Sequence, residues 1–172
     1  NVDRHYLSDP NDLELLPGAI RGLRRLRTLG VGIVVATNQS GIARGLFDRT
    51  RLNEIHEELR MLLASEGVEL DGIYVCPHHP NEGCRCRKPA PGLIEQAMLD
   101  HGFDPKASFV IGDRSSDIGC GRSVGAFSIL VRTGYGTETE HAGKALPDAV
   151  VDDLDDASKL IQSRLAAGRT KP

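Results

Sequence analysis

The chain has 172 residues, 40% hydrophobic and 26% charged, with a formal net charge of −3 and four cysteines. That length suits one core-forming domain and is short for two, and the slightly acidic balance argues against a dedicated nucleic-acid binder. No apolar run approaches the roughly 18 to 20 residues that cross a bilayer, and the opening NVDRHYLSDP has no apolar signal-peptide core, so a cytoplasmic chain with neither membrane nor nucleic-acid partner is expected.

In chain order, short β-rich apolar runs alternate with patterns of helical period, the signature of a parallel sheet covered by helices. LPGAIRGLRRLRTLG reads as a helix with Pro17 near its start, Gly30 at its end and Ile20, Leu23, Leu26 and Leu29 on one face. VGIVVATNQS is a buried-strand run that stops at a polar cluster. Asp48 is placed to cap the next helix, in which Leu52, Ile55, Leu59 and Leu62 fall at helical spacing before Gly67. GIYVC reads as a strand, and PGLIEQAMLDHG as a helix between Pro91 and Gly102. SFVIGD, FSILV and DAVV are three further strands, with a short helix between the first two and DDLDDASKLIQSRLAA as the closing helix. The predicted fold is α/β and doubly wound, one domain over 1–172, with polar residues gathered just beyond strand ends, where ligands bind in such sheets.

Residues 76–89, CPHHPNEGCRCRKP, hold three of the four cysteines. Cys76, His78, Cys84 and Cys86 form C-x-H-x5-C-x-C, a set that matches a closed tetrahedral structural zinc site. His79 is the competing imidazole, and a surface turn with free thiols is the plainer alternative. The loop, 76–86, has few apolar residues, and a metal would hold it and so fix the charges of Arg87 and Lys88 behind it. Alone, Lys88 reads as a solvated lysine. ATNQSG, however, places Thr37, Asn38 and Ser40 at another strand end, where hydroxyls and backbone N–H groups can hold phosphate oxygens. IGDRSSD places Asp113 and Asp117 four apart at a third, a carboxylate pair suited to Mg2+; the alternative is a helix N-cap at Asp113 or Ser115 with an acidic first turn. Cys120 reads as a small buried residue.

Together, strand-Thr-Asn, then Lys, then Gly-Asp-x-x-x-Asp resemble motifs two to four of the haloacid dehalogenase superfamily. TNQSGIARG (37–45), DGIYVCPHHP (71–80), CRCRKPAPG (84–92) and LVRTG (130–134) are similar to its D-glycero-D-manno-heptose 1,7-bisphosphate phosphatase family. The resemblance implies a Rossmannoid three-layer sandwich and a Mg2+-dependent phosphatase that removes the 7-phosphate through an aspartyl-phosphate. It further implies a role in ADP-heptose or lipopolysaccharide synthesis, a sugar bisphosphate as the partner molecule, and a monomer. Thr37 and Lys88 would hold the phosphoryl group. Asp3, Arg4, His5, Tyr6, Asn38, Gln39, Ser40, Arg87 and Arg114 would line the substrate. Asp113 would bind Mg2+ with Asp117 in support, and Cys76, His78, Cys84 and Cys86 would hold structural Zn2+. Histidinol-phosphate phosphatases share the zinc loop and are the alternative within the superfamily.

One departure stands out. The family's first motif, Asp-x-Asp, with its nucleophile and its acid/base, has no counterpart in these residues, and NVDRHY resembles the segment immediately downstream of that motif. The expectation is a chain truncated at its N-terminus, lacking its first central strand and preceded by some 15 residues (carried over from the resemblance). A lost strand of about five buried residues is worth on the order of 10 kcal/mol, against a net domain stability of about 5 to 15 kcal/mol. If the natural chain instead begins near Asn1, the expectation becomes a non-catalytic zinc-stabilised module that binds a sugar phosphate.

Overall fold

The computed structural model describes residues 7–169, residue 169 by its backbone alone. Asp3, Arg4, His5 and Tyr6 of the expected sugar-phosphate pocket lie outside the described residues. The elements run α1 (Ala19–Thr28), β1 (Val34–Asn38), α2 (Arg49–Ser65), β2 (Gly72–Cys76), α3 (Gly92–His101), β3 (Phe109–Gly112), α4 (Ser115–Ser123), β4 (Phe127–Val131), α5 (Gly136–Ala142), β5 (Ala149–Val151) and α6 (Leu154–Arg169). Every strand pairing among the described residues is parallel: β1 with β2, and β3 with β4 with β5. This is the HAD-like α/β arrangement expected.

The strands make two sheets, ordered β1-β2 and β3-β4-β5. Among the described residues β1 and β3 each have a single strand partner, so each keeps an open edge.

A single hydrophobic cluster nevertheless spans both sheets, with Leu26, Ile33, Leu63 and Val68 joined to Ile129 of β4 and Ile161 of α6. β4 is buried at four of its five positions, as a parallel strand flanked on both sides should be. α1 crosses α6 closely because residue 22 has no side chain: a Cβ on Gly22 would stand 2.4 Å from the Leu154 carbonyl oxygen. Arg25 then reaches the Asp155 carboxylate at 2.5 Å and the Ser158 hydroxyl at 2.8 Å.

α2 begins where Asp48 predicts, the carboxylate accepting from the Arg51 amide at 2.8 Å. Its buried face ends on Leu63, not Leu62. At 3.6 residues per turn, position 63 returns to within about 20° of Leu52, whereas position 62 is rotated by about 80°. α5 was not expected: seven residues, GTETEHA, carry no apolar stripe to betray a helix. No helix among the described residues is long and apolar enough to cross a membrane.

Candidate active site

The last pair in the β1–β2 register is Asn38 opposite Cys76, so the hydroxyl turn and the cysteine loop leave the sheet side by side. Cys76 Sγ lies 3.5 Å from Cys84 Sγ and 3.6 Å from His78 Nδ1. Cys86 Sγ lies 3.1 Å from His78 Nδ1 and 3.6 Å from Cys84 Sγ, and all four atoms fall within 4.8 Å of one another. Four donors about 2.3 Å from one zinc ion would stand about 3.8 Å apart, so the set fits a closed tetrahedral site with no open position. His79 does not compete. Its imidazole accepts from the Asn81 amide at 3.3 Å, and its own amide donates to Glu82, so it caps the turn 80–82.

The thiols are electrostatically crowded. Burial, then the hydrogen bonds and charges of Cys76 and Cys84, push the Cys86 thiol up to about 12. Burial also raises that of Cys84, but hydrogen bonds from Cys76, Cys86 and two backbone amides outweigh it and leave the thiol below its ordinary value. A bound cation relieves such crowding by stabilising every thiolate at once.

Thr37 and Asn38 close β1. The Thr37 hydroxyl accepts from Gln39 Nε2 at 3.1 Å, and the Gln39 amide donates to the Cys76 carbonyl at 2.7 Å. Ser40 is buried behind them. Asn38 faces across to Lys88, its Oδ1 accepting from the Lys88 amide at 3.1 Å and its Nδ2 donating to the Lys88 carbonyl at 3.1 Å. The Lys88 ammonium donates to the Ala36 carbonyl of β1 and pairs with Asp117 Oδ1 at 2.7 Å. That uses two of its three donors and leaves one to face a ligand.

Asp117 sits in the first turn of α4. Its second oxygen accepts from the Arg114 amide at 3.0 Å, so both oxygens are engaged by the protein. The N-cap position is Arg114, not Asp113 or Ser115. Asp113 is oriented from another direction. Its Oδ2 accepts from the Tyr135 amide at 2.8 Å, and its carbonyl accepts from the Thr139 hydroxyl at 2.8 Å. Gly134 makes this approach possible: its φ is +61°, and a Cβ there would stand 2.3 Å from Asp113 Oδ2.

Contacts therefore run unbroken from Ala36 and Asn38 through Lys88 to Asp117 and the Arg114 amide, which adjoins Asp113. Two expected substrate contacts, Arg87 and Arg114, have protein partners of their own. Arg87 donates to the His78 carbonyl at 3.4 Å, and the Arg114 guanidinium stacks 3.7 Å over the Tyr135 ring. Gly134, Tyr135 and Thr139 escaped the sequence reading because they act through backbone shape, an amide and a hydroxyl, without charge or metal chemistry. The segment LVRTG marked only Gly134, and only as part of a resemblance.

A family profile described as "HAD-hyrolase-like" matches residues 85–157. The chain is 39% identical to the D-glycero-β-D-manno-heptose-1,7-bisphosphate 7-phosphatase of Yersinia pestis, covering 95% of this chain and 90% of that protein. It is 42% identical to the same enzyme of Pseudomonas aeruginosa, covering 91% and 89%. Among solved structures, the D,D-heptose 1,7-bisphosphate phosphatase of B. bronchiseptica in complex with magnesium and phosphate superposes with a TM-score of 0.86 at 35% identity, covering 92% of this chain and 89% of that one.

Proposed function

The chain belongs to the D-glycero-β-D-manno-heptose-1,7-bisphosphate 7-phosphatase family of HAD-like phosphohydrolases, and from that premise we propose that it hydrolyses the 7-phosphate of the heptose bisphosphate, with Thr37, Lys88 and Asp113 surrounding the transferring group. The observation that carries the proposal is the placement of Lys88. Its ammonium is tethered to β1 and to α4 at once, so a positive charge stands between the Ala36 carbonyl and the first turn of α4.

In this reading the Thr37 hydroxyl donates to a phosphoryl oxygen while the third donor of Lys88 offsets the charge that spreads over the group in the transition state. Asp113, with one oxygen held by the Tyr135 amide, presents the other to Mg2+. Bound Mg2+ would neutralise phosphoryl charge and align the reacting oxygens. Arg87 and Arg114 are assigned to the rest of the substrate; the bond of Arg87 to the His78 carbonyl and the stacking of Arg114 on Tyr135 each leave guanidinium N–H donors free for it. Cys76, His78, Cys84 and Cys86 would hold zinc as a fixed strut behind Arg87. The attacking carboxylate and the acid/base belong to an Asp-x-Asp pair that the family resemblance places ahead of NVDRHY; the reading frame upstream of Asn1 should encode it.

The experiment uses protein expressed from the complete reading frame, assayed with Mg2+ on the heptose bisphosphate and on histidinol phosphate side by side. Lys88→Ala should lower kcat by at least about a hundredfold, as removal of one preorganised donor does in comparable sites. A loss below tenfold with saturable substrate would reject the role of Lys88. Faster turnover of histidinol phosphate would reject the substrate.

A further inference from the structure

Asn38 has so far stood among the residues expected to line the substrate. Its contacts argue for a different task. The amide meets both polar groups of one backbone residue, with the oxygen on the Lys88 N–H and the nitrogen on the Lys88 C=O, each at 3.1 Å. The opposite amide orientation would set donor against donor and acceptor against acceptor, so the hydrogen-bond pattern admits a single assignment. A side chain here does what a neighbouring strand would do for a β-residue.

The surroundings make that grip consequential. Asn38 ends β1 opposite Cys76, and the next residue, Gln39, donates its amide to the Cys76 carbonyl at 2.7 Å. The end of β1 and the residue after it thus hold the cysteine loop, at its exit through Asn38 and at its entrance through Gln39. The Lys88 side chain then returns to the carbonyl of Ala36, two residues before Asn38 on the same strand. Lysine stems are flexible, and a misplacement of about 1 Å can cost on the order of a hundredfold in rate. With its backbone fixed by Asn38 and its tip by Ala36 and Asp117, Lys88 keeps little of that freedom.

We propose that Asn38 is a positioning residue: its side-chain amide clamps the Lys88 backbone and so sets where the ammonium stands, rather than contacting substrate. The inference rests on the phosphoryl-clamping role given to Lys88 above. Asparagine suits the task because it offers an acceptor and a donor from one short planar group. Aspartate lacks the donor and would set an anion against the Lys88 carbonyl.

The test is a double-mutant cycle on protein from the complete reading frame, comparing Asn38→Ala, Lys88→Ala and the double variant. Asn38→Asp serves as a near-isosteric second probe should the alanine variant fold poorly. Melting temperature and metal content per chain establish that each variant is folded. Asn38→Ala and Asn38→Asp should each lower kcat by about ten- to a hundredfold with KM within threefold of the parent, because what moves is a charge used in the transition state. In the Lys88→Ala background, Asn38→Ala should cost less than a further threefold.

A KM raised tenfold at constant kcat would identify Asn38 as a substrate contact and overturn the proposal. So would full multiplication of the two losses in the double variant, or an unchanged kcat in both Asn38 variants. If Lys88→Ala collapses activity while the Asn38 variants keep it, only the clamp fails. If Lys88→Ala itself keeps activity, the role of Lys88 fails and takes the clamp with it.

Discussion

The two sheets are built from the same parallel pairing yet held by different forces. In the three-stranded sheet β4 is buried at four of five positions, and Ile129 at its centre is fully enclosed. In the two-stranded sheet Cys76 is the one strand residue that is fully buried, and Val34 is 37% exposed. A sheet that buries so little apolar surface gains little from it at roughly 25 cal/mol per Å2. Polar cross-links supplement the half-buried Val35 and Ile73 that pack on the common core: the thiol cluster, the Asn38 side-chain bonds, the Gln39 amide and the Asp71 carboxylate that accepts from the Ile33 amide at 2.6 Å. The chemistry proposed above is placed accordingly. Thr37, Lys88 and the cysteine loop are tethered by specific bonds, and Asp113 extends from the packed sheet.

The strongest way to break the contrast is to remove the metal proposed for the cysteine loop. Structural zinc contributes about 10 to 16 kcal/mol in small zinc-folded peptides, as much as the whole net stability of an ordinary domain. Chelation, or Cys84→Ser, should therefore abolish activity and strip hydrogen-exchange protection from β1 and β2 first, with β3, β4 and β5 retaining theirs. Simultaneous loss in both sheets would show one cooperative unit and erase the distinction.

A smaller effect tests the packed side. Ile129→Ala should cost about 2 to 5 kcal/mol, read from the denaturation midpoint, because it opens a cavity in a site that cannot collapse. The same truncation in the two-stranded sheet, Ile73→Ala, should cost clearly less, since Ile73 is only half-buried. Equal costs would mean that β2 is as enclosed in solution as β4.

The same contrast explains which features the amino-acid sequence makes legible. The strands and long helices were legible because apolar periodicity encodes burial, and the Cys/His spacing was legible because ligand chemistry is local. The partners of Lys88 were not, since Ala36 is 52 residues away and Asn38 is 50. Nothing in the periodicity of either segment announces such a contact. Asp117 looked like a second metal carboxylate, and its engagement by Lys88 and the Arg114 amide is again a matter of tertiary placement. α5 stayed hidden because seven residues are too few for a stripe, yet its Thr139 and the preceding Gly134 and Tyr135 shape the surroundings of Asp113.

The finest distinction between the two sides lies in acid. α1 is joined to α6 and to the start of β2 by one carboxylate each, both held below the ordinary range. At Asp155, beside the packed sheet, the Lys159 hydrogen bond leads the effect, with Arg25 adding to it. At Asp71, near the start of β2, burial works the other way, but the Ile33 amide and Arg27 overcome it. A carboxyl depressed in the folded state stabilises fully above its unfolded value near pH 3.9 and loses that contribution as pH falls through the folded value, so both act on the acid limb, below about pH 4. Asp155 is the more enclosed, its side chain 10% exposed against 34% for Asp71, and solvent screens it less. Asp155→Asn should accordingly flatten the fall in melting temperature between pH 5 and about pH 3 more than Asp71→Asn does. A larger flattening by Asp71→Asn would mean that the bond to the Ile33 amide, on the sheet with least apolar support, matters more than enclosure.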